Sequence, residues 1–228
     1  MNLAIARKEL KEMLPLIVLA ALVQLWLLFG TLGLLPEWLG NFNTGYIIPF
    51  LDPFFDGDVV MAMALVGGAL AIALGLGQTL WELFRGTFPF LLHRPLSRTK
   101  IFATKLLVGA GVWLALTVLP MAIYALWAAT PGTHASPFAW WMTASAWQLC
   151  LNVLLVYLAA FLCGLRPARW YVSRLLPGVF VGSLLLILQI AQFVFAPLGA
   201  AVTLTILLVV CAGYVMAILC VAESRDYS

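Results

Sequence analysis

Residues 175–222 decide the class of fold, and they read LLPGVFVGSLLLILQIAQFVFAPLGAAVTLTILLVVCAGYVMAILCVA. This run contains no charged residue and no histidine over 48 positions. About 20 apolar residues are enough to cross the roughly 30 Å hydrocarbon core of a bilayer. The run is therefore too long for one crossing, and the sequence APLG at 196–199 supplies the signals of a tight turn. We predict two membrane-spanning helices here.

The rest of the chain has the same apolar character. Its 228 residues are 64% hydrophobic and only 9% charged, whereas a soluble domain carries roughly a quarter charged residues. The charge-free runs predict six transmembrane helices, at 14–35, 58–79, 101–128, 142–164, 175–195 and 199–221. We therefore expect an all-α polytopic membrane protein that forms a single transmembrane domain over 1–228, with a kink at Pro120.

The positive charges indicate the orientation of these six helices. With six spans, all twelve lysines and arginines fall on one side of the membrane: Arg7, Lys8, Lys11, Arg85, Arg94, Arg98, Lys100, Lys105, Arg166, Arg169, Arg174 and Arg225. The opposite side carries acidic residues and His134 but no lysine or arginine. By the positive-inside rule, both termini face the cytoplasm. The net charge of +3 then reflects topology, and it does not indicate a nucleic-acid partner.

Residues 1–13 have an amphipathic pattern. Leu3, Ala6, Leu10 and Met13 recur at helical spacing, with charged residues on the other face. This pattern predicts a helix that lies in the interfacial plane, followed by a bend because Pro15 disfavours a helical conformation before it. The alternative is that the first span begins early and its charged end projects into water.

A few polar residues lie inside the predicted spans. Those that we single out are Gln24, Gln148, Asn152, Gln189 and Gln192. An amide in hydrocarbon needs a hydrogen-bond partner, so each should face protein or a water-filled path. Interhelical hydrogen bonding and the lining of a substrate route both remain open. Small residues at Gly67, Gly68, Ala71 and Gly75 are expected to let helix backbones approach closely.

The reactive groups of an enzyme are missing from the sequence. The two histidines, His93 and His134, are predicted to lie on opposite sides of the membrane, which excludes a shared histidine-based metal site. No H-E-x-x-H, G-x-S-x-G or G-x-x-x-x-G-K-[ST] motif is present. We therefore expect no catalytic residue, no metal and no nucleotide on this chain, so that energy for any work comes from elsewhere.

The loop between the second and third spans is both basic and apolar, and it reads WELFRGTFPFLLHRPLSRTK over 81–100. Thr87 can cap a short helix that tolerates Pro89 in its first turn. An apolar patch follows, and Arg94 with Pro95 ends the helix. Ser97 can then cap the third span. Such a segment suits either lipid headgroups or a groove on a cytosolic partner.

This loop resembles that of the permease subunits of ABC-2-type ATP-binding cassette transporters. The matching elements are Glu82, Gly86-Thr87, Leu91-Leu92, Pro95-Leu96-Ser97-Arg98 and Lys105, in that order and at similar spacing. The N-terminal segment from Ala6 to Met13 resembles the interfacial helix of that family. The resemblance covers the whole chain in topology and about 35 residues in motif. Pro89, His93 and the short turn between the fifth and sixth spans depart from the family pattern.

The resemblance implies a permease half-subunit of an exporter in the plasma (cytoplasmic or inner) membrane of a prokaryote. It would pair with a second half, as a homodimer or heterodimer, and take force from a separate cytosolic ATPase that binds ATP and magnesium. The loop would hold a coupling helix over 86–93, and the coupling residues would be Glu82, Gly86, Thr87, Phe88, Phe90, Leu91, Leu92, Arg94, Pro95, Ser97 and Arg98. Glu82 and Arg98 would fix the geometry of the loop. The alternative is a force-transmitting or anchoring subunit of such a complex that does not itself move a substrate.

Overall fold

A computed structural model of the chain describes residues 3–36, 39, 54, 58–84, 86, 97–133, 138–166, 171–194 and 196–224. Within these ranges the secondary structure is helical, without a strand. In this described part of the chain, six helices are long and apolar enough to cross a membrane. The prediction of an all-helical, multi-pass membrane protein with six candidate spans is confirmed.

We number these helices α1 to α6 in chain order. Helix α1 is Leu3–Thr31; α2 comprises Asp58–Leu76, a π-helical segment Gly77–Trp81 and Glu82–Phe84; α3 comprises Arg98–Trp113, a π-helical segment Leu114–Val118 and Leu119–Ala129. Helix α4 is a 3₁₀ turn Trp140–Thr143 followed by Ala144–Leu165, α5 is Tyr171–Val194, and α6 is Ala196–Ser224.

The first helix differs from the sequence-based expectation. Residues 1–13 and 14–35 were expected to form an interfacial helix and a separate span, but α1 is continuous and contains Pro15. A proline removes only one backbone donor, and the helix can continue past it when the surrounding contacts hold it. The charged end does not simply project into water either, because Ile5, Ala6 and Glu9 are buried against the bundle.

Three other local features were considered from the sequence, at APLG, at Pro120 and at Ser97. The APLG sequence, expected as the turn before the last span, belongs to the first turn of α6, where a proline costs no helical hydrogen bond. In α3, the irregular turn is a π-helical segment just before Pro120. Ser97 occupies the capping position of α3 with an extended backbone, but among the described residues its side chain makes no capping hydrogen bond.

Helix α4 is the centre of the bundle. Every residue from Tyr157 to Leu165 is buried, which is typical of a helix surrounded by protein on all sides. A Cβ atom added at Gly75 of α2 would lie 2.7 Å from the backbone nitrogen of Phe161, so α2 and α4 meet nearly backbone to backbone. The expectation for Gly75 is confirmed. Gly68 differs, since no described atom of another helix lies within 4 Å of its added Cβ.

Side-chain contacts show which helix ends meet at each end of the bundle. At the end that carries the cations, Lys8 of α1 meets Glu82 of α2, and Thr99 of α3 donates a hydrogen bond to Glu223 of α6. Arg174 of α5 donates to the last carbonyl groups of α4, at Cys163 and Gly164. At the other end, Phe54 packs with Tyr124 and Phe138. We call the first the basic end and the second the aromatic end.

Candidate functional site

A buried lysine at the basic end joins three helices. Lys105 of α3 is completely buried, and its ammonium nitrogen lies 2.6 Å from Oε2 of Glu82 in α2 and 2.8 Å from Oε1 of Glu9 in α1. It also donates a 2.9 Å hydrogen bond to the backbone carbonyl of Gln78. Its bond to Glu82 has hydrogen-bond geometry, whereas its contact with Glu9 is an ion pair without a directed hydrogen bond.

Lys8 extends this cluster towards solvent. Its ammonium nitrogen lies 2.5 Å from the second carboxylate oxygen of Glu82 and 3.9 Å from Glu12. The Lys8 side chain is about one third exposed, whereas Glu82 is buried. Glu82 therefore lies between two ammonium groups, one at the edge of the protein and one inside it.

A hydrogen-bonded pair connects the cluster to the central helix. The hydroxyl of Tyr157 in α4 donates a 2.8 Å hydrogen bond to Oε1 of Gln78, and Nε2 of Gln78 donates a 3.3 Å bond to the carbonyl of Lys105. Gly109 makes this possible, because a Cβ atom there would overlap the Tyr157 hydroxyl. We call Lys8, Glu9, Gln78, Glu82, Lys105 and Tyr157 the four-helix network.

The π-helical segment of α2 positions two members of the network. It spans Gly77–Trp81, so it contains Gln78 and immediately precedes Glu82. A wider turn changes the helix face on which the following residues lie, and such turns are frequent at functional sites. Thr79 donates a 2.7 Å bond to the carbonyl of Gly75 and packs on Gly164 of α4, where a Cβ atom would overlap its hydroxyl.

The energetics of the network depend on its completeness. A buried ion pair is weak evidence for stability as a whole, but the loss of one partner leaves a buried charge uncompensated. Here Lys105 is the only ammonium group that contacts Glu9 within 4 Å among the described residues. The network therefore specifies the relative positions of α1, α2 and α3 more than it adds stability.

Three carboxylates of this region could be considered as metal ligands. One oxygen of each of Glu9, Glu12 and Glu82 lies within 4.8 Å of the others. The ammonium groups of Lys8 and Lys105 already lie against all three carboxylates. The positive charge that a divalent cation would supply is thus provided by the chain itself, and the arrangement does not call for a metal.

The structure places only part of the predicted coupling set. Glu82, Gly86, Ser97 and Arg98 are described, and the other predicted residues, Thr87, Phe88, Phe90, Leu91, Leu92, Arg94 and Pro95, lie outside the described residues together with the rest of the 86–93 helix. Gly86 has φ +64°, a left-handed conformation that favours glycine just after a helix. Glu82 was expected to act together with Arg98, and the structure gives it Lys8 and Lys105 as ion-pair partners.

The polar residues of the spans have different environments. Gln24 of α1 is buried and donates a 2.9 Å hydrogen bond to the carbonyl of Met63 in α2, so it bonds between helices. Gln148 and Asn152 lie in α4, the first buried and the second partly buried. Gln189 differs from the expectation, since it is exposed on the outer surface of the chain. The side chain of Gln192 lies outside the described residues.

Sequence reasoning found Glu82 and Lys105 but missed how Glu9, Gln78 and Tyr157 join them. One signal was available for Glu9, because it lies four residues after Ile5 and therefore on the same helix face. The apolar Ile5 and the apolar face of 1–13 could have indicated that Glu9 is carried into the bundle. Nothing in the local sequence marks Tyr157, which is one of several aromatic residues in α4.

Comparison with models of protein families, with curated proteins and with solved structures finds no match to this chain.

Proposed function

We propose that this chain is a membrane-spanning permease half-subunit of an ABC-2-type exporter, energised by a separate ATPase that docks on the loop between α2 and α3. The observation that carries the proposal is the four-helix network at the base of that loop. Glu82 lies just before the loop, and Lys105 lies two turns into the helix that follows it. Their 2.6 Å ion pair holds the two ends of the loop together.

The network suits the transmission of force from such a loop. A push on the loop would reach α2 through Glu82 and α3 through Lys105, and Glu9 would carry it to α1. The bond from Tyr157 to Gln78 would carry it to α4, the centre of the bundle. A plain basic loop would satisfy the positive-inside rule equally well. The buried network is thus more than topology requires.

A second permease half would cover a polar residue that the single chain exposes. Gln189 lies in the membrane-spanning part of α5, and its amide faces outward. An amide facing hydrocarbon without a partner costs free energy. A second six-helix half against α5 would supply that partner, which agrees with the dimeric architecture that the resemblance implies.

One observation favours the alternative, a force-transmitting subunit that moves no substrate itself. Gln24, which was considered for a substrate route, bonds the carbonyl of Met63. Gln78 likewise bonds Tyr157 and Lys105. Both amides thus hold helices together. In either case the ATPase docks on the same loop, and the two functions differ only in whether cargo passes through the dimer.

We expect Phe90→Ala and Leu91→Asp to separate the chain from its ATPase, because both replace apolar residues of the predicted docking helix. The tagged chain would be purified from its native membrane, and a co-purified chain with a G-x-x-x-x-G-K-[ST] motif identified by mass spectrometry. We expect the amount of co-purified ATPase, and the ATP hydrolysis of the purified sample, to fall at least tenfold. Phe29→Ala, at an exposed position of α1, is the matched control. Unchanged co-purification and hydrolysis in both loop variants would refute the assignment.

We expect cysteine labelling to place the two loops on opposite sides of the membrane. In a background without Cys150, Cys163, Cys211 and Cys220, a cysteine at position 45 should react with an impermeant reagent added outside intact cells. A cysteine at position 96 should react only after the membrane is permeabilised, because the cations are expected inside. The reverse pattern would contradict the proposed orientation.

A further inference from the structure

The outward face of helix α1 carries two cations near its N-terminus. Arg7 and Lys11 lie one turn apart and are exposed, and neither side chain has an ion-pair partner among the described residues. The two glutamates of this part of α1 lie against other lysines, in the four-helix network or at its edge. No acidic residue lies three or four positions from either cation, and like charges at that spacing repel each other. This face therefore carries positive charge without a counter-charge of its own.

The continuity of α1 aligns these two cations with an apolar stripe. Because the helix passes through Pro15 without a break, the helix face of Arg7 and Lys11 continues along it at intervals of three or four residues. The residues that follow on this face are all apolar and 44% to 61% exposed: Leu14, Val18, Leu22 and Leu25. We call these four residues the outward stripe. A bend at Pro15, which the sequence predicted, would have turned the cations away from this stripe.

The length of α1 places the two cations at the depth of the lipid headgroups. The helix has 29 residues, whereas about 20 cross the hydrocarbon core. Counted back from the end of the helix at Thr31, roughly nine residues, those up to Lys11, extend beyond the core. The outward stripe from Leu14 to Leu22 rises about 12 Å, most of the ~15 Å that one leaflet of the core measures. The face therefore complements one phospholipid, with cations for its phosphate and an apolar stripe for an acyl chain.

We infer that an anionic phospholipid binds this face, with its phosphate between Arg7 and Lys11 and an acyl chain along the outward stripe. The guanidinium group can donate two parallel hydrogen bonds to a phosphate, and the ammonium group adds a point charge. The stripe accepts the acyl chain of any lipid, so the headgroup decides which lipid binds. A zwitterionic headgroup brings a cation of its own, which the two cations of α1 repel, whereas an anionic phospholipid neutralises them.

The bound lipid connects the headgroup layer to the four-helix network. Glu9 lies between Arg7 and Lys11 in the sequence but on the opposite face of the helix, where it contacts Lys105. A lipid that fixes the outward face of α1 therefore also fixes the segment that carries Glu9 into the network. This lipid site requires neither an ATPase nor a second permease half.

The double substitution Arg7→Gln with Lys11→Gln tests the site through the lipids that stay bound to the purified chain. The chain would be mixed in detergent micelles with equal amounts of phosphatidylglycerol and phosphatidylcholine, and the bound lipids counted by native mass spectrometry. We expect wild type to retain phosphatidylglycerol in preference, and each substitution to lower this preference about fivefold, the effect of one cation near an anionic surface. Both positions are exposed, so the melting temperature should not change. Equal retention of the two lipids by wild type would overturn the inference.

Lys100→Gln is the matched control for Lys11→Gln alone. Lys100 is also an exposed lysine of the basic end, but the residue one turn later in α3 is Thr104 and not a second cation. We expect this variant to keep the lipid preference of wild type. An equal loss of preference in Lys100→Gln and Lys11→Gln would show a general attraction to the basic end and would overturn the defined site. An unchanged preference in the double variant would overturn it as well, and a co-purified protein lost from that variant would then assign the face to a protein partner.

Discussion

Lys105→Met is expected to destabilise the protein by about 3–5 kcal/mol, the cost of leaving buried carboxylates without their cation. Glu9 and Glu82 are both buried, and both contact the ammonium group of Lys105. Methionine fills a similar volume but supplies no charge. Thermal unfolding of the purified variant, followed by tryptophan fluorescence or by size-exclusion chromatography after heating, measures the effect.

The control for this variant is Lys100→Met, which removes an exposed lysine one turn and a half earlier in the same helix. We expect it to change the stability by less than about 0.5 kcal/mol. A triple variant with Lys105→Met, Glu9→Gln and Glu82→Gln should recover much of the lost stability, because it removes the buried charges together. Equal melting temperatures for Lys105→Met and Lys100→Met would show that the network is not formed.

The triple variant also separates folding from function. If the network transmits force, the recovered protein should still bind its ATPase but fail to couple ATP hydrolysis to the work of the complex. If the network only fixes the fold, coupling should recover with stability. A fully coupled triple variant would argue against force transmission through Lys105 while leaving the docking of the ATPase on the loop untouched.

The second large effect is expected from Gly75→Ala. An added Cβ atom would lie 2.7 Å from the backbone nitrogen of Phe161 and 2.8 Å from the backbone oxygen of Tyr157. Backbone atoms cannot rotate away as side chains can, so α2 and α4 would have to separate. Overpacking of this kind costs about 1–3 kcal/mol, occasionally more, and we expect the upper end because the contact lies at the centre of the bundle.

Gly68→Ala is the control, since it lies on the same helix with no described neighbour within 4 Å of the added methyl group. Alanine has a higher helix propensity than glycine, by about 1 kcal/mol. Gly68→Ala should therefore leave the melting temperature unchanged or raise it. If Gly75→Ala melts at the same temperature as Gly68→Ala, the close contact between α2 and α4 is wrong.

The number of spans could be predicted from the sequence, and the ends of α3 to α6 to within about four residues, whereas α1 begins well before the predicted position 14. A charge placed in hydrocarbon costs free energy whatever the rest of the chain does. The charge-free runs therefore mark the spans, and their lengths show how many spans each contains. The placement of the N-terminal part of α1 was not predictable in the same way. Its amphipathic pattern fits a membrane surface and the flank of a bundle equally well, and only tertiary contacts, such as Ile5 beside Ile101 and Glu9 beside Lys105, distinguish the two.

The candidate site was partly predictable. Glu82 and Lys105 could be named because they flank a loop with a recognisable order of residues. The face of each helix that turns inward was not predictable, because the π-helical segment Gly77–Trp81 changes the register of α2 just before Glu82. The glycines of α2 indicated close helix packing but not which of them makes the contact. Gly75 and Gly68 look alike in sequence, and only the position of α4 leaves no room for a side chain at Gly75.

The sequence by itself determined that this chain is an all-helical membrane protein with six candidate spans, and its cations predicted which ends lie together. Those properties depend on the free energy of transferring each short segment from water into lipid, and the residues of that segment alone set this free energy. Only the tertiary structure decided that Glu9, Glu82, Lys105 and Tyr157 meet in one network. These residues come from four different helices, and their contact depends on helix packing and helix register, which no local pattern encodes.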